Sequence, residues 1–381
     1  MPRSTPTSPR VTIDALTGVR AFAAAWVVLY HFWSICVTLV PSAAPLHAVV
    51  GGGYVGVDLF FVLSGFIISY NYLDTFSQVN SASYFRFLWL RLARFYPVHL
   101  FALLVVGCAL ISPTRWGETL RSDPRFTLVS LLRNLALLAA WGRSSFSWNG
   151  PAWSISAEWF AYLLFPAAAL LLNRFRSSRL ALWGASLAIP ATLLLFLVAI
   201  PRFLSLESAW PLVRIAGCFA AGTFVCVLFK QGWQNHRNWD VIALATIAAL
   251  LAAQILLVSR GMNALVATPL MPLLILALAK ARGGLARVLG SRPVIYLGKV
   301  SYALYMTHLL VREVVFGLIP PAAFVHSSLV VRLVVCVGYL AAAVVAAALV
   351  YHLVEEPARR SMRGRLRTTA RNRSASAVVA N

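Results

Sequence analysis

Two ionisable side chains interrupt an apolar run near the amino terminus, Gly18-Val-Arg20-Ala-Phe-Ala-Ala-Ala-Trp-Val-Val-Leu-Tyr-His31. On a helix, eleven steps of about 100° come to three turns plus about 20°, so Arg20 and His31 share one face. They lie about 16 Å apart along the axis, at a rise of about 1.5 Å per residue. That distance roughly matches an extended pantetheine arm. An arginine can hold a phosphate through charge-assisted bonds, and a histidine can take a proton from a hydroxyl. One helix could therefore seat a thioester donor by its phosphates and present the reactive carbon to an imidazole. Spacing alone leaves a plainer reading open: an arginine reaching for the membrane surface and a histidine bonded to a neighbouring helix.

Other candidates lie in separate apolar runs. In Pro151-Ala-Trp153-Ser154-Ile-Ser156-Ala-Glu158, the carboxylate falls about 7–10 Å below the surface at which that run starts. Counted from the opposite surface of a layer about 30 Å thick, His31 reaches nearly the same depth. The two are therefore expected side by side, Glu158 fixing the tautomer of His31 and raising its basicity. Asp58 and Ser64 lie in Tyr54-Val-Gly-Val-Asp58-Leu-Phe-Phe-Val-Leu-Ser64-Gly65, where an acid must be paired or neutral. Arg91 and Arg94, at i and i+3, face one way and can share a polyanion. Ser301, Tyr305 and His308 form a polar stripe, with Tyr302 beside it. Trp153, Ser154, Tyr302, Tyr305 and His308 join Asp58 and Ser64 as candidate substrate-lining residues. The acids Glu355 and Glu356 sit at a helix end whose dipole disfavours them, so an arginine partner is expected.

Elements that cross a bilayer must position these groups. Of 381 residues, 60% are hydrophobic and 12% charged, where a soluble domain is about one quarter charged. Apolar runs of spanning length recur near 15–40, 53–73, 95–112, 153–173, 179–200, 210–230, 239–258, 263–280, 298–318 and 331–354. This predicts an all-α polytopic membrane protein of about ten transmembrane helices. The stretch 126–141 has helical apolar spacing but includes Arg133 and Asn134, and reads as interfacial or re-entrant. The net charge of +22 would suit a nucleic-acid partner, but the cations fall between apolar runs and in a tail with no acid after Glu356. With the termini cytoplasmic, inner segments hold 21 Arg and Lys against seven in outer segments. The positive-inside rule therefore predicts a multi-pass protein of the cell membrane with both termini in the cytoplasm, its tail attracting anionic lipid. Five cysteines lie within apolar runs, with no C-x-x-C and no metal-like spacing; they read as small buried hydrophobes.

Six pieces taken in order resemble the membrane acyltransferase 3 family. They are the Arg20-x10-His31 pair, Phe60-Phe-Val-Leu-Ser-Gly-Phe66, Arg91-x-x-Arg94-x-x-Pro97, Trp153-Ser-x-Ser-x-Glu158, Ser301-Tyr-x-x-Tyr305-x-x-His308 and Glu356-Pro357. The resemblance covers residues 12–358 as one membrane domain. It leaves a cytoplasmic segment, 1–11, and a basic tail, 359–381, that reads as disordered. It implies an O-acyltransferase that uses acyl-CoA, usually acetyl-CoA, as co-substrate, with no bound cofactor. The implied acceptor is a hydroxyl of a sugar, surface polysaccharide, glycolipid or related molecule. By that likeness His31 is the catalytic histidine, and Arg20, Arg91 and Arg94 bind the donor or support the structure. Some family members carry an added extracytoplasmic SGNH hydrolase-like domain. This chain stops about 23 residues beyond Ala358 and is expected to lack one, so either it acylates its acceptor directly or a separate extracytoplasmic protein completes the transfer. The alternative, a transporter or flippase for an acylated or glycosylated lipid, suits the buried charges. No inverted repeat or pair of broken helices supports it.

Overall fold

The computed structural model describes residues 13–142, 147–175, 179, 183, 210–232, 237–262 and 264–365. Among them the architecture is helical without strands, and eight helices are long and apolar enough to cross a membrane. We number the principal helices α1 (Asp14–Leu39), α2 (Gly56–Tyr72), α3 (Ser81–Ile111), α4 (Ala152–Phe175) and α5 (Trp210–Lys230). They continue with α6 (Trp239–Ser259), α7 (Met271–Lys280), α8 (Arg292–Leu318) and α9 (Leu329–Val350). The near face is the one at which α1 starts, and the far face the one at which it ends.

Eight of the ten expected spans are long apolar helices among the described residues. The run 179–200 lies almost wholly outside the described residues. The run 263–280 is broken, with a 3-10 segment at Ala264–Leu270 followed by the short α7. Pro269 and Pro272 supply no backbone N–H, which prevents a continuous α-helical ladder. The third span is longer than its apolar core, because α3 starts at Ser81, capped by Asn80, whose side chain accepts from Ser83 N at 2.8 Å. Arg91 and Arg94 sit within this helix rather than before it, each engaged by a partner described below.

The last helix corrects the domain reading at its end. Helical structure persists from Leu329 to Arg365, so residues 359–365 are ordered helix and not disordered tail. It passes Pro357 through one π turn at Tyr351–Glu355. A proline clashes with the carbonyl four residues back, and a widened turn relieves that clash. The remainder of the tail, like residues 1–11, lies outside the described residues.

Two parallel seams organise the core. Arg20 meets Ser301 and Arg312 meets the His31 carbonyl, both across a separation of 281 positions, so α1 and α8 run side by side in one register. Asp58–Arg214 and Asp74–Lys230 each span 156 positions, so α2 and α5 are likewise parallel and locked at both ends. Between those locks Gly65 faces the Phe219 carbonyl and Gly222 faces the Val62 carbonyl. A Cβ at either glycine would drive into the opposing backbone.

The stretch expected to be interfacial or re-entrant folds as a short helix, Leu128–Leu135, with a Thr127–Ser130 capping box. Beyond it the chain turns through Leu137, at φ 61°, and packs inward. Ser156 Oγ accepts from Ala140 N at 2.9 Å and donates to the Leu137 carbonyl at 2.6 Å. Tyr96 OH donates to the Leu135 carbonyl at 2.9 Å, and His99 Nε2 donates to the Asn134 carbonyl at 2.8 Å.

Candidate active site

The parallel α1/α8 seam carries two histidines into contact. His31 Nδ1 lies 2.8 Å from the Val27 carbonyl of its own helix, and a carbonyl can only accept, so the proton sits on Nδ1. This tautomer leaves the Nε2 lone pair free to act as a base. His308, fully buried, is held the same way, with Nδ1 2.6 Å from the Tyr305 carbonyl. Its Nε2 faces His31 Nδ1 at 3.3 Å, and the two rings are 4.9 Å apart by centroid. Tyr30 packs edge-on against His31 at 5.0 Å, and Arg312 Nη1 donates to the His31 carbonyl at 3.1 Å. Both rings are thus fixed in orientation, and His31 remains partly exposed.

Toward the near face the same seam carries Arg20. Its Nε donates to Ser301 Oγ at 3.3 Å, and its guanidinium lies over the Phe60 ring, 5.7 Å from the centroid. Glu158 and Tyr162 of α4 come within electrostatic reach of this arginine. Glu158 is held by two hydroxyls. Ser64 Oγ donates to its Oε1 at 2.5 Å, and Tyr162 OH donates to the same oxygen.

The expected His31–Glu158 dyad is therefore not formed as a direct hydrogen bond. The depth count assumed that α4 starts at the membrane surface, and it does not. The segment leading into α4 is drawn inward: Asn149 Nδ2 donates to the Met306 carbonyl at 3.0 Å, and Tyr305 OH reaches the Pro151 carbonyl at 3.4 Å. Pro151 thus already lies near the level of the paired histidines. Seven further residues carry Glu158 about 10 Å toward the near face, to the level of Arg20. His308 takes the place beside His31 that Glu158 was expected to occupy.

Of the two α3 arginines, Arg94 meets the last helix at the near end and Arg91 packs against the end of α2. Arg94 is ion-paired with the buried Glu355 and stacks over Tyr302 at 5.4 Å. The charges of Arg20 and Arg359 both reach Arg94. Arg359 and Arg360 pair with Glu356, so both acids have the arginine partners expected of them. Arg91 donates to Tyr72 OH at 3.1 Å and lies over that ring at 5.2 Å. Arg20, Arg91 and Arg94 all remain partly exposed.

Of the candidate lining residues, Ser64 and His308 touch the central groups directly. Asp58 does not line an open site: its carboxylate, fully buried, is forked by Arg214 at 3.0 and 2.6 Å. Arg214 in turn lies 5.0 Å over Trp153, which makes that indole part of the same structural unit. Ser154 Oγ turns back to the Pro151 carbonyl at 3.0 Å, and Tyr302 OH donates to the Phe95 carbonyl at 2.6 Å. These side chains fix the walls. Tyr162, Arg214 and Arg359 were not among the candidates. Tyr162 was findable, because it lies four positions from Glu158 on one helix face. Arg214 and Arg359 acquire their places only through tertiary packing.

A helical membrane bundle holding a tautomer-fixed histidine at one depth and an arginine cluster about three turns nearer one face has the form of a membrane group-transfer enzyme. Residues 13–352 match the family described as the acyltransferase domain, and the chain belongs to that family. It is a multi-pass membrane O-acyltransferase of the O-acetyltransferase-like kind. It is similar to the acyltransferase MdmB of Streptomyces mycarofaciens, with 28% identity over 95% of each chain. It is also similar to the O-acetyltransferase OatA of Staphylococcus aureus, with 24% identity over 79% of this chain and 50% of the relative. A peptidoglycan O-acetyltransferase OatA of Listeria monocytogenes is 29% identical over 42% of this chain and 25% of its own length. No solved structure matches the chain.

Proposed function

We propose that the protein transfers an acetyl or other short acyl group from acyl-CoA to a hydroxyl of a carbohydrate or glycolipid acceptor. One observation carries this reading: a single helix, α1, bears a histidine with a free Nε2 lone pair and, about 16 Å away, an arginine among further arginines. The surplus of Arg and Lys in the segments on the near side supports a cytoplasmic near face, from which the donor enters. Its phosphates meet Arg20, Arg91 and Arg94, with Arg359 adding positive charge at the same mouth. The pantetheine arm runs along α1 toward the paired histidines.

His31 Nε2 takes the acceptor hydroxyl proton as that oxygen attacks the thioester carbon. The C–S bond breaks, the imidazolium returns its proton to the thiolate, and an ester and free CoA result. His308 keeps the His31 ring oriented through both steps. The relatives named as O-acetyltransferases support an acetyl donor, and the peptidoglycan relative supports a carbohydrate acceptor.

The test is purified protein in proteoliposomes with radiolabelled acetyl-CoA and membrane extract as acceptor. The expected result is acceptor-dependent CoA release and label in an alkali-labile ester, both lost in His31→Ala. A correctly folded His31→Ala protein with undiminished turnover would remove His31 from the mechanism. Label retained on the protein as a hydroxylamine-sensitive adduct when acceptor is omitted would make His31 an acyl carrier rather than a base.

A further inference from the structure

All five cysteines lie on spanning helices, but only two of them meet. Cys336 Sγ lies 2.9 Å from Cys36 Sγ, while Cys218 sits against Asp58, Cys226 is buried and Cys108 is exposed. The meeting follows from the register of the seam. Phe32 of α1 packs edge-on against Tyr339 of α9 at 6.4 Å, and one turn along, Cys36 meets Cys336. A step forward on α1 matches a step back on α9, as two antiparallel helices require. Tyr339 OH is bound to the Ile319 carbonyl, which anchors α9 at this level. The sulfurs are therefore opposed by packing around them and not by a mobile loop. Both lie toward the far face, Cys36 three residues from the end of α1.

We propose that Cys36 and Cys336 form an interhelical disulfide, a covalent tether between α1 and α9. The oxidant is a disulfide, either on a thiol–disulfide oxidoreductase or as a small molecule. The two thiols lose two electrons and two protons, an S–S bond forms between them, and the oxidant disulfide is reduced to two thiols. Cys36 is five residues from His31, about 7.5 Å along the helix, so the tether fixes the part of α1 that carries the imidazole. Cys36 lies within one turn of the far end of α1, which brings the pair toward the aqueous side from which an oxidant comes.

The test uses the full chain in detergent in a Cys108→Ser background, which removes the exposed thiol and leaves four cysteines from the native five. The protein is treated with glutathione disulfide, denatured, and labelled with maleimide-polyethylene glycol before and after reduction. Two added polymers in the oxidised sample and four in the reduced one are expected, with peptides around Cys36 and Cys336 linked in the mass spectrum. A further Cys36→Ser change should abolish the linked peptides and give three labels after reduction. One label fewer before reduction would be a mixed disulfide on Cys336, recognised by the added mass of one glutathione. Four labels under oxidising conditions, or two labels with no peptide linking Cys36 to Cys336, would overturn the proposal.

Discussion

The α1/α8 and α2/α5 seams are built alike and left in different states. Each is a parallel helix pair in fixed register, and each buries ionisable groups at membrane depth. In α2/α5 the charges close on themselves: Asp58 is forked by Arg214, Asp74 is paired with Lys230, and two glycines interlock the backbones between them. In α1/α8, Arg20 is held by one hydroxyl and an aromatic face, and His31 keeps a free lone pair. An ionisable residue inside a membrane segment thus points to chemistry only where its partners leave capacity unused. Where a bidentate partner neutralises it, the same residue type specifies packing.

The largest effect should separate the seams cleanly. His31→Ala removes one imidazole from an apolar helix and should lower turnover by roughly 10²–10⁴-fold, the usual contribution of general acid–base catalysis. Acceptor-dependent CoA release measures it, and thermal unfolding in detergent should show little change. Asp58→Ala should do the reverse. It strands a buried guanidinium, which costs about 3–5 kcal/mol, and the unfolding midpoint should fall sharply. The double change Asp58→Leu with Arg214→Met should recover much of that loss. If Asp58→Ala kept its stability and lost turnover instead, α2/α5 would belong to the chemistry and the contrast would collapse.

Glu158→Gln sharpens the boundary between the seams, because Glu158 belongs to α4, is bound by Ser64 and Tyr162, and lies within electrostatic reach of Arg20. The amide oxygen can still accept from Ser64 and Tyr162, so the fold should hold. Removing the negative charge within reach of Arg20 should change the donor KM more than kcat. The acidic limb of the pH–rate profile, which reports the base, should stay where it is. A displaced limb would mean that Glu158 and His31 titrate together after all, through a bridging water.

Most of the fold was legible in the sequence because hydrophobic length is a local property. Eight long apolar helices coincide with expected spans, and the acids at 355 and 356 found the arginines that a helix end demands. The site was legible as a set of residues but not as a set of pairs. Arg20 and His31 share a face of α1 by arithmetic alone. A direct His31–Glu158 bond is not formed because the depth of a helix start depends on how the preceding loop packs, and the segment before α4 is drawn inward by Asn149 and Pro151. Arg214 could be seen as a charge in a span, but its partner 156 positions away could not. The cysteine pair was hidden for the same reason: each thiol is bland on its own helix.

The smallest effect concerns the α3 arginines, which equal spacing made look equivalent and the structure makes unequal. Arg94 is tied to the buried Glu355, whereas Arg91 is held by a neutral phenol. Both face the mouth at which the donor phosphates are expected. Arg91→Ala should remove one charge-assisted bond, worth about 1.5 kcal/mol at the low end, and raise the donor KM roughly tenfold with kcat unchanged. Arg94→Ala should raise KM similarly but also lower the unfolding midpoint, because the buried Glu355 then keeps only Arg359, at 3.9 Å. Adding Arg20→Ala to Arg91→Ala should weaken donor binding further if both meet phosphate. Isothermal titration with a non-hydrolysable acyl-CoA analogue reads the affinity without turnover. An unchanged affinity in Arg91→Ala, with a shift only in membrane topology, would make that arginine a positive-inside marker and confine the donor mouth to the residues that surround Arg20.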